Sequence, residues 1–411
     1  MLDRLFTFQA ALLKPITNEF TRTLSQSIHW KQRMLGIKGL RGIGKTTLLL
    51  QYLKYGLAGK GLYVTADHPW FYDHSLLDLA EEFEKNDGRV LLIDEIHKYP
   101  QWSTQLKNIY DGHPSLQVIF TASSALEIQK GQADLSRRVL SYELTGLSFR
   151  EYLHFFQHQV YPIFSLEDIV KNPQGIISAL TFPKKILPLF KNYLRNGYFP
   201  FSYHEPEGDF IIKLNQVLNT VLETDLAAIE RYTAGNVVTI KKLLGVLSES
   251  VPFTPNIASL ANKMKLGRDT VNNFIQHLER ARLFNLIYQQ PKGVAALQKP
   301  DKIYLENTNF AFALKDQPDV GSLRETFFFN QLHNAGYMVS LPASGDFLIN
   351  KKWTFEIGGS AKKESQLRNT KNSFLALDGI ESAYQNRIPL WLFGFLYLRR
   401  NLLLLRQHVD C

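Results

Sequence analysis

The sequence predicts an α/β fold that opens with a parallel sheet and continues into a helical region and a second, mixed region. Three observations predict it. From about Leu35 to Glu143, short apolar runs alternate with polar helical stretches. From Leu147 to about Ile229 the pattern is helical and broken by Pro162, Pro173, Pro183, Pro188 and Pro200. After Lys299 short strand-like runs return. Strand, helix, strand in succession builds a parallel sheet, because each helix carries the chain back to the edge where the last strand began.

Each element follows from its local pattern. Apolar runs at Met34–Ile37, Leu62–Val64, Val90–Ile93 and Val118–Phe120 read as buried strands. Between them, Thr46–Tyr55 and Trp102–Tyr110 read as helices. Three helical patterns follow from Val237 to Ile287. Strand-like runs then occur at Lys302–Leu305, Tyr337–Leu341, Phe347–Ile349, Trp353–Ile357 and Pro389–Tyr397. The apolar stretch Leu390 to Leu398 is too short to span a bilayer, is followed by Arg399 and Arg400, and reads as a buried strand. These shifts divide the chain into segments 1–146, 147–231, 232–300 and 301–411.

Composition bounds the function. With 45% hydrophobic and 21% charged residues, the whole chain reads as globular. An excess of 47 Lys and Arg over 38 Asp and Glu permits a polyanionic partner without requiring one. The single cysteine, Cys411, excludes an intrachain disulfide and a cysteine-based metal cluster. The N-terminal stretch has no basic region followed by an apolar core, so it does not read as a signal peptide. The expectation is a cytoplasmic protein with no membrane segment.

The strongest chemical signal is Gly39, Leu40, Arg41, Gly42, Ile43, Gly44, Lys45, Thr46, followed by Thr47. It satisfies G-x-x-x-x-G-K-[ST] between an apolar strand and a helical pattern, the context a P-loop requires. Glycines let successive N–H groups face phosphate oxygens, and the helix starting near Lys45 turns its positive end toward them. Lys45 would neutralise the β and γ oxygens, and the Thr46 hydroxyl would ligate Mg²⁺. The run Val90 to Asp94 and Glu95 places two carboxylates at the carboxyl end of a buried strand, where ligands bind in such sheets. Asp94 would hold Mg²⁺ through water, and Glu95 would polarise the attacking water. The strand Val118–Phe120 leads into Thr121, Ser123 and Ser124. Ser123 is the first candidate for sensing the γ-phosphate, although hydroxyls also end strands simply to make turns. Arg137 and Arg138 are candidates for a finger acting across a subunit interface, or a solvated pair. The guanine-specific N-K-x-D text is absent, which favours ATP.

The segments GIKGLRGIGKTTLLLQ, LLIDEIHKYPQWSTQLKNIYD, VIFTASS and LTGLSFREYL resemble a widespread family of prokaryotic AAA+-type ATPases. The resemblance extends over nearly the whole chain, including YLRNGYFPF at 193–201 and GDFLINKKWTFEIGG at 345–359. It implies an AAA+-like P-loop NTPase core over 1–146, a helical lid over 147–231, a winged helix over 232–300 and a restriction-endonuclease-like α/β domain over 301–411. It brings no substrate beyond ATP. Ala122 stands where this family carries a second Gly before the sensor serine.

In the third segment, Ile257 to Met264 and Asp269 to Arg282 read as helix–turn–helix, with Asp269 as N-cap after Gly267. Val271, Phe274, Ile275 and Leu278 share a buried face at helical spacing. The opposite face carries Asn272, Asn273 and Gln276, residue types that read adenine edges in double-stranded DNA. Lys263, Lys265 and Arg268 are candidates for phosphate contacts, and Lys292, Lys299 and Lys302 for a wing. A protein-binding or lid role fits the same residues.

In the fourth segment Glu325 lies on a helix, Asp346 opens a strand and Glu356 closes the next. That is the carboxylate layout of restriction-endonuclease-like folds, where acids hold Mg²⁺ beside a scissile phosphate. An active site of this kind carries a lysine two residues after the second acid, and here that position is Gly358. Lys362, Lys363 and Gln366, expected on the next helix, are the candidate substitutes. Without the strand lysine, a degenerate fold used for binding is favoured over an active nuclease. Three functions stay open: an ATPase acting with DNA, an ATP-licensed nuclease, and a signalling ATPase with protein partners or self-association.

Overall fold

A computed structural model describes residues 2–57, 59–123, 135, 137–182, 184–226, 232–249, 254–288, 300–363, 367 and 370–396. The chain divides into two units, Met1–Thr145 and Gly146–Cys411. Among the described residues no helix is long and apolar enough to cross a membrane.

The first unit begins with α1 (Asp3–Leu13) and then alternates β1 (Met34–Gly39), α2 (Lys45–Gly56), β2 (Gly61–Thr65), α3 (Leu76–Lys85), β3 (Val90–Asp94), α4 (Trp102–Gly112), β4 (Gln117–Ser123) and β5 (Leu140–Glu143). The strands form one parallel sheet in the order β2-β3-β4-β1-β5. A five-stranded parallel sheet of this kind fits a P-loop NTPase core. Because side chains alternate across a sheet, Leu62, Val64, Leu91, Ile93, Val118 and Phe120 all belong to one apolar core, with Leu76, Leu79, Phe83, Leu106 and Ile109 from α3 and α4. Tyr63, Leu92, Asp94, Ile119 and Thr121 occupy the alternate positions, so the sheet brings polar groups together at one end of its other face. The free edge of β2 is satisfied by α1: Gln9 Oε1 accepts from the Tyr63 amide at 2.6 Å. An unpaired edge would otherwise offer its backbone to other chains. Strand β5 was not anticipated, since four residues with one buried tyrosine carry almost no periodic signal.

In the second unit, α5 (Phe149–Gln157), α6 (Leu166–Lys171), α7 (Pro173–Ala179), α8 (Ile186–Asn196), α9 (Glu207–Thr220) and α10 (Ala234–Ser248) come first. The LSFREYL text is a helix start. The Ser148 hydroxyl accepts from the Glu151 amide, and the Glu151 carboxylate accepts from the Ser148 amide. Two helices, α11 (Ile257–Met264) and α12 (Arg268–Arg280), precede an antiparallel pair, β6 (Phe284–Ile287) and β7 (Lys302–Leu305). Next come α13 (Thr308–Leu314), α14 (Val320–Asn334) and a second sheet in the order β12-β11-β10-β9-β8. Its strands are β8 (Val339–Ser340), β9 (Phe347–Ile349), β10 (Trp353–Gly359), β11 (Ser373–Asp378) and β12 (Arg387–Pro389). β10, β11 and β12 run parallel, while β8 and β9 are antiparallel.

A buried polar network knits this unit. Asn309 accepts from the Tyr198 amide at 2.9 Å and donates to the carbonyls of Tyr193 and Leu194 at 3.3 and 3.0 Å. Asn330 donates to the Glu306 carbonyl at 2.7 Å. The positions 232 and 300, expected as domain boundaries, fall inside this unit.

Several local expectations are corrected. Leu390–Phe395 is a buried 3₁₀ helix, because Pro389 ends β12 and an unbroken apolar run does not distinguish a buried helix from a buried strand. Residues 397–400 lie outside the described residues. Helix α12 starts at Arg268 with Gly267 as its N-cap, so Asp269 lies in the first turn. The tight turn is made by Lys265, which takes up φ 55° after α11. Glu356 is inside β10 and does not close it. Lys362 sits in a turn directly after β10, its amide donating to the Gly359 carbonyl at 3.0 Å. β11 is a further strand, formed by the apolar run SFLALD, beyond those the sequence predicts.

Candidate functional site

The P-loop forms between β1 and α2. Gly42 and Gly44 have φ of 81° and 95°, values that other residues adopt at a cost. This lets the loop curl back on itself ahead of α2, whose first N–H groups have no partner within the helix. Lys45 is buried, and its ammonium donates to the carbonyls of Gly39 and Leu40 at 2.9 Å each. Leu40 and Ile43 are buried and anchor the loop, whereas Thr46 and Thr47 are exposed on the first turn. Arg22, which sequence reading missed, lies buried behind the loop. It donates to the Ile43 carbonyl at 2.9 Å and the Thr145 carbonyl at 2.7 Å. It belongs to no motif, so no local signal marks it.

Asp94 ends β3 next to this loop and is buried. Its Oδ2 accepts from the Thr46 hydroxyl at 2.5 Å and the Tyr63 hydroxyl at 2.9 Å. Its Oδ1 accepts from the Thr121 hydroxyl and, at 3.2 Å, from the Glu95 amide. The Glu95 amide also donates to Thr121 Oγ1 at 2.9 Å. Glu95 takes the left-handed conformation, φ 52°, which turns its side chain away from the strand direction. Its Oε2 lies 4.0 Å from Arg41 Nη1, 3.7 Å from His97 Nε2 and 3.7 Å from Lys98 Nζ. Lys98 also pairs with Asp67. Burial, together with the neighbouring Asp94 carboxylate, holds the Tyr63 hydroxyl firmly in its protonated, donating form. Tyr63 was missed because a tyrosine inside an apolar strand reads as core.

Ser123, the last residue of β4, is buried and in register with Gly39, the first residue of the loop. Thr121 is also buried, and its hydroxyl is engaged by Asp94 and Glu95. Ser124 lies outside the described residues. Arg138 is engaged in a two-point contact, with Nε and Nη2 each 3.0 Å from the two oxygens of Asp111. Arg137 is exposed.

In the second unit, Val271, Phe274, Ile275 and Leu278 form the buried face of α12. Lys263, Lys265, Arg268 and Asn273 are exposed, while Asn272 and Gln276 are partly covered. Lys292 and Lys299 lie outside the described residues. Lys302, the first residue of β7, is paired: its ammonium is 2.8 Å from Glu325 Oε2.

The three carboxylates of the fourth segment come from α14, β10 and, for Asp346, the bend one residue ahead of β9, so Asp346 does not itself open the strand. Glu325 on α14 also accepts from the Tyr304 hydroxyl at 2.8 Å. Asp346, just before β9, accepts from the Ile357 amide at 2.7 Å. Burial raises the Asp346 carboxyl above its ordinary value and nearby Glu356 adds to this, against the Ile357 amide and the charges of Lys302 and Lys362. Glu356 is 1% exposed and meets Lys362 Nζ at 2.6 Å. The hydrogen bond to Glu356 raises the Lys362 ammonium in turn. The stem of Lys362 passes over Gly358, where a Cβ would lie 2.7 Å from Lys362 Cβ and Cγ. Gln366 lies outside the described residues. Among the described residues, no three His, Cys, Asp or Glu side chains converge closely enough to hold one metal ion.

Residues 31–153 match the family model of an AAA domain. The match supports an AAA-type P-loop ATPase. The matched span takes in all five strands of the first sheet, with the glycine-rich loop, Tyr63, Asp94 and Thr121. Residues 187–319 match a domain of unknown function (DUF8612). The chain is also 27% identical over 384 residues to the uncharacterized protein MJ1637 of Methanocaldococcus jannaschii, covering 85% of this chain and 80% of that protein.

Proposed function

We propose that the first unit binds ATP with Mg²⁺ and hydrolyses it, and that the nucleotide cycle drives the second unit. The observation that carries this reading is the 2.5 Å contact between the Thr46 hydroxyl and Asp94 Oδ2, beside the buried Lys45 ammonium. Two oxygen donors of the kind Mg²⁺ prefers are already adjacent, and the lysine stands where phosphate charge would lie. Thr46 and Asp94 would hold the ion, which supplies charge neutralisation for the triphosphate. The amides of Gly42 to Thr47 would take the phosphates. Glu95 would orient and polarise the attacking water, leaving its present neighbours Arg41, His97 and Lys98 to face the phosphate. Ser123, next to the start of the loop, would sense the γ-phosphate. Arg137 is the arginine available to a neighbouring subunit, since Arg138 is engaged with Asp111.

The exposed Lys265, Arg268 and Asn273, with Asn272 and Gln276 beside them, support double-stranded DNA as the partner of α11 and α12, read as a winged helix. Steady-state hydrolysis by wild type and Glu95→Gln, with and without duplex DNA at low and moderate salt, tests both parts. Stimulation that fades with salt supports a DNA-acting ATPase. Hydrolysis indifferent to DNA moves the reading to a signalling ATPase with protein partners.

A second reading, an ATP-licensed nuclease in the fourth segment, is favoured by one contact. Lys362 reaches Glu356 from beyond the strand, across the glycine that stands at the usual lysine position. Mg²⁺-dependent cleavage of duplex DNA that is lost in both Asp346→Ala and Glu356→Ala would establish it. No cleavage by the wild type leaves a nuclease-like fold used for binding.

A further inference from the structure

We propose that Tyr63 and Thr121 are positioning residues that brace the Asp94 carboxylate for Mg²⁺, an inference that rests on the nucleotide-binding reading above. A carboxylate has about four lone-pair sites. In Asp94 the four donors are the hydroxyls of Thr46, Tyr63 and Thr121 and the amide of Glu95. Thr46 is the one among them that a metal ion would recruit, since its oxygen is also the P-loop ligand. Tyr63 and Thr121 stay on the carboxylate from two strands that flank β3 in the sheet. They set its plane and leave the Thr46 side of Oδ2 as the face turned toward the loop.

Thr121 does more. Its one hydroxyl donates to Asp94 and accepts from the Glu95 amide, so it also holds the left-handed peptide that aims the Glu95 side chain. The geometry of both acidic residues therefore depends on a threonine in the neighbouring strand. A buried tyrosine needs a partner for its hydroxyl in any case. A purely structural Tyr63 predicts a change in stability alone, whereas a brace predicts a change in metal dependence.

The experiment uses full-length protein carrying Tyr63→Phe, Thr121→Val or Thr121→Ser. Binding of a fluorescent ATP analogue is followed through a Mg²⁺ titration and again in EDTA, with melting temperature measured alongside. Loss of one hydrogen bond to a charged group should raise the half-saturating Mg²⁺ by about tenfold in Tyr63→Phe. Thr121→Val should shift it further and Thr121→Ser should restore it. Affinity in EDTA should not move. Wild-type Mg²⁺ dependence in both Tyr63→Phe and Thr121→Val would overturn the brace, as would an equal loss of affinity in EDTA. If the wild type binds the analogue with Mg²⁺ but does not hydrolyse ATP, the hydrolysis reading alone fails and the brace is still decided by the titration. If wild-type binding ignores Mg²⁺, both fall.

Discussion

The Thr46 hydroxyl donates to Asp94 Oδ2 at 2.5 Å, across 48 residues of sequence. One group starts a helix and the other ends a strand, and only the parallel order of the sheet places them in contact. Thr46→Ala removes both the donor and the expected metal ligand. ATP turnover should fall by about a hundredfold. Steady-state kinetics across a Mg²⁺ series checks this, and a variant with normal Mg²⁺ dependence would remove Thr46 from the metal site.

Lys45 holds two loop carbonyls at 2.9 Å each, contacts it would exchange for phosphate oxygens. Charge-assisted bonds are stronger than neutral ones. Lys45→Ala should weaken Mg-ATP binding by about 3 kcal/mol, roughly a hundredfold in Kd. Calorimetric titration reads this directly.

Glu95 sits at the loop with its carboxylate 3.7 Å from the Lys98 ammonium. Glu95→Gln keeps the shape and removes the carboxylate charge proposed to polarise the attacking water. The variant should bind ATP as wild type does and turn over about a thousandfold more slowly. Intact turnover would assign the attacking water to another group.

Asp346 carries a strain of solvation. Burial raises its carboxyl above the ordinary value, and Glu356 pushes the same way. A carboxylate raised in the folded state disfavours folding once it ionises. The cost is absent below the unfolded pKa, grows as pH rises through the ordinary carboxylate range, and is complete above the folded pKa. Asp346→Asn keeps an acceptor for the Ile357 amide and removes the charge. Its melting temperature should match wild type near pH 3 and exceed it at neutral pH. A variant that is less stable at neutral pH would show that the Lys302 and Lys362 charges outweigh burial.

Lys265 stands exposed in the turn before α12, and Arg268 stands exposed as its first residue. Changing both to Ala should weaken duplex DNA binding at every sequence alike. The slope of log K against log salt should lose about 2, one for each phosphate contact. An unchanged slope would place the DNA, or another partner, elsewhere.

Much of this protein was legible in its sequence where the chemistry is local. The P-loop residues are contiguous, and Gly42 and Gly44 adopt the positive φ that their motif requires. The strands Lys302–Leu305 and Phe347–Ile349 have the limits that their apolar runs suggest. The face of Val271, Phe274, Ile275 and Leu278 is buried, as helical spacing requires. In each case a backbone conformation or a periodicity decides the outcome within a few residues.

The tertiary structure decided which distant side chains meet. Tyr63 reads as core until the sheet order sets β2 beside β3. Lys302 reads as a wing cation until its strand is seen to reach Glu325, and Lys362 reads as a helix residue until it turns back over Gly358. The Leu390–Phe395 run became a 3₁₀ helix because Pro389 stopped the strand, while its burial was plain from composition. Local sequence specifies which backbone forms are affordable. Partnership across strands depends on order, register and direction, which are settled by the packing of the whole unit.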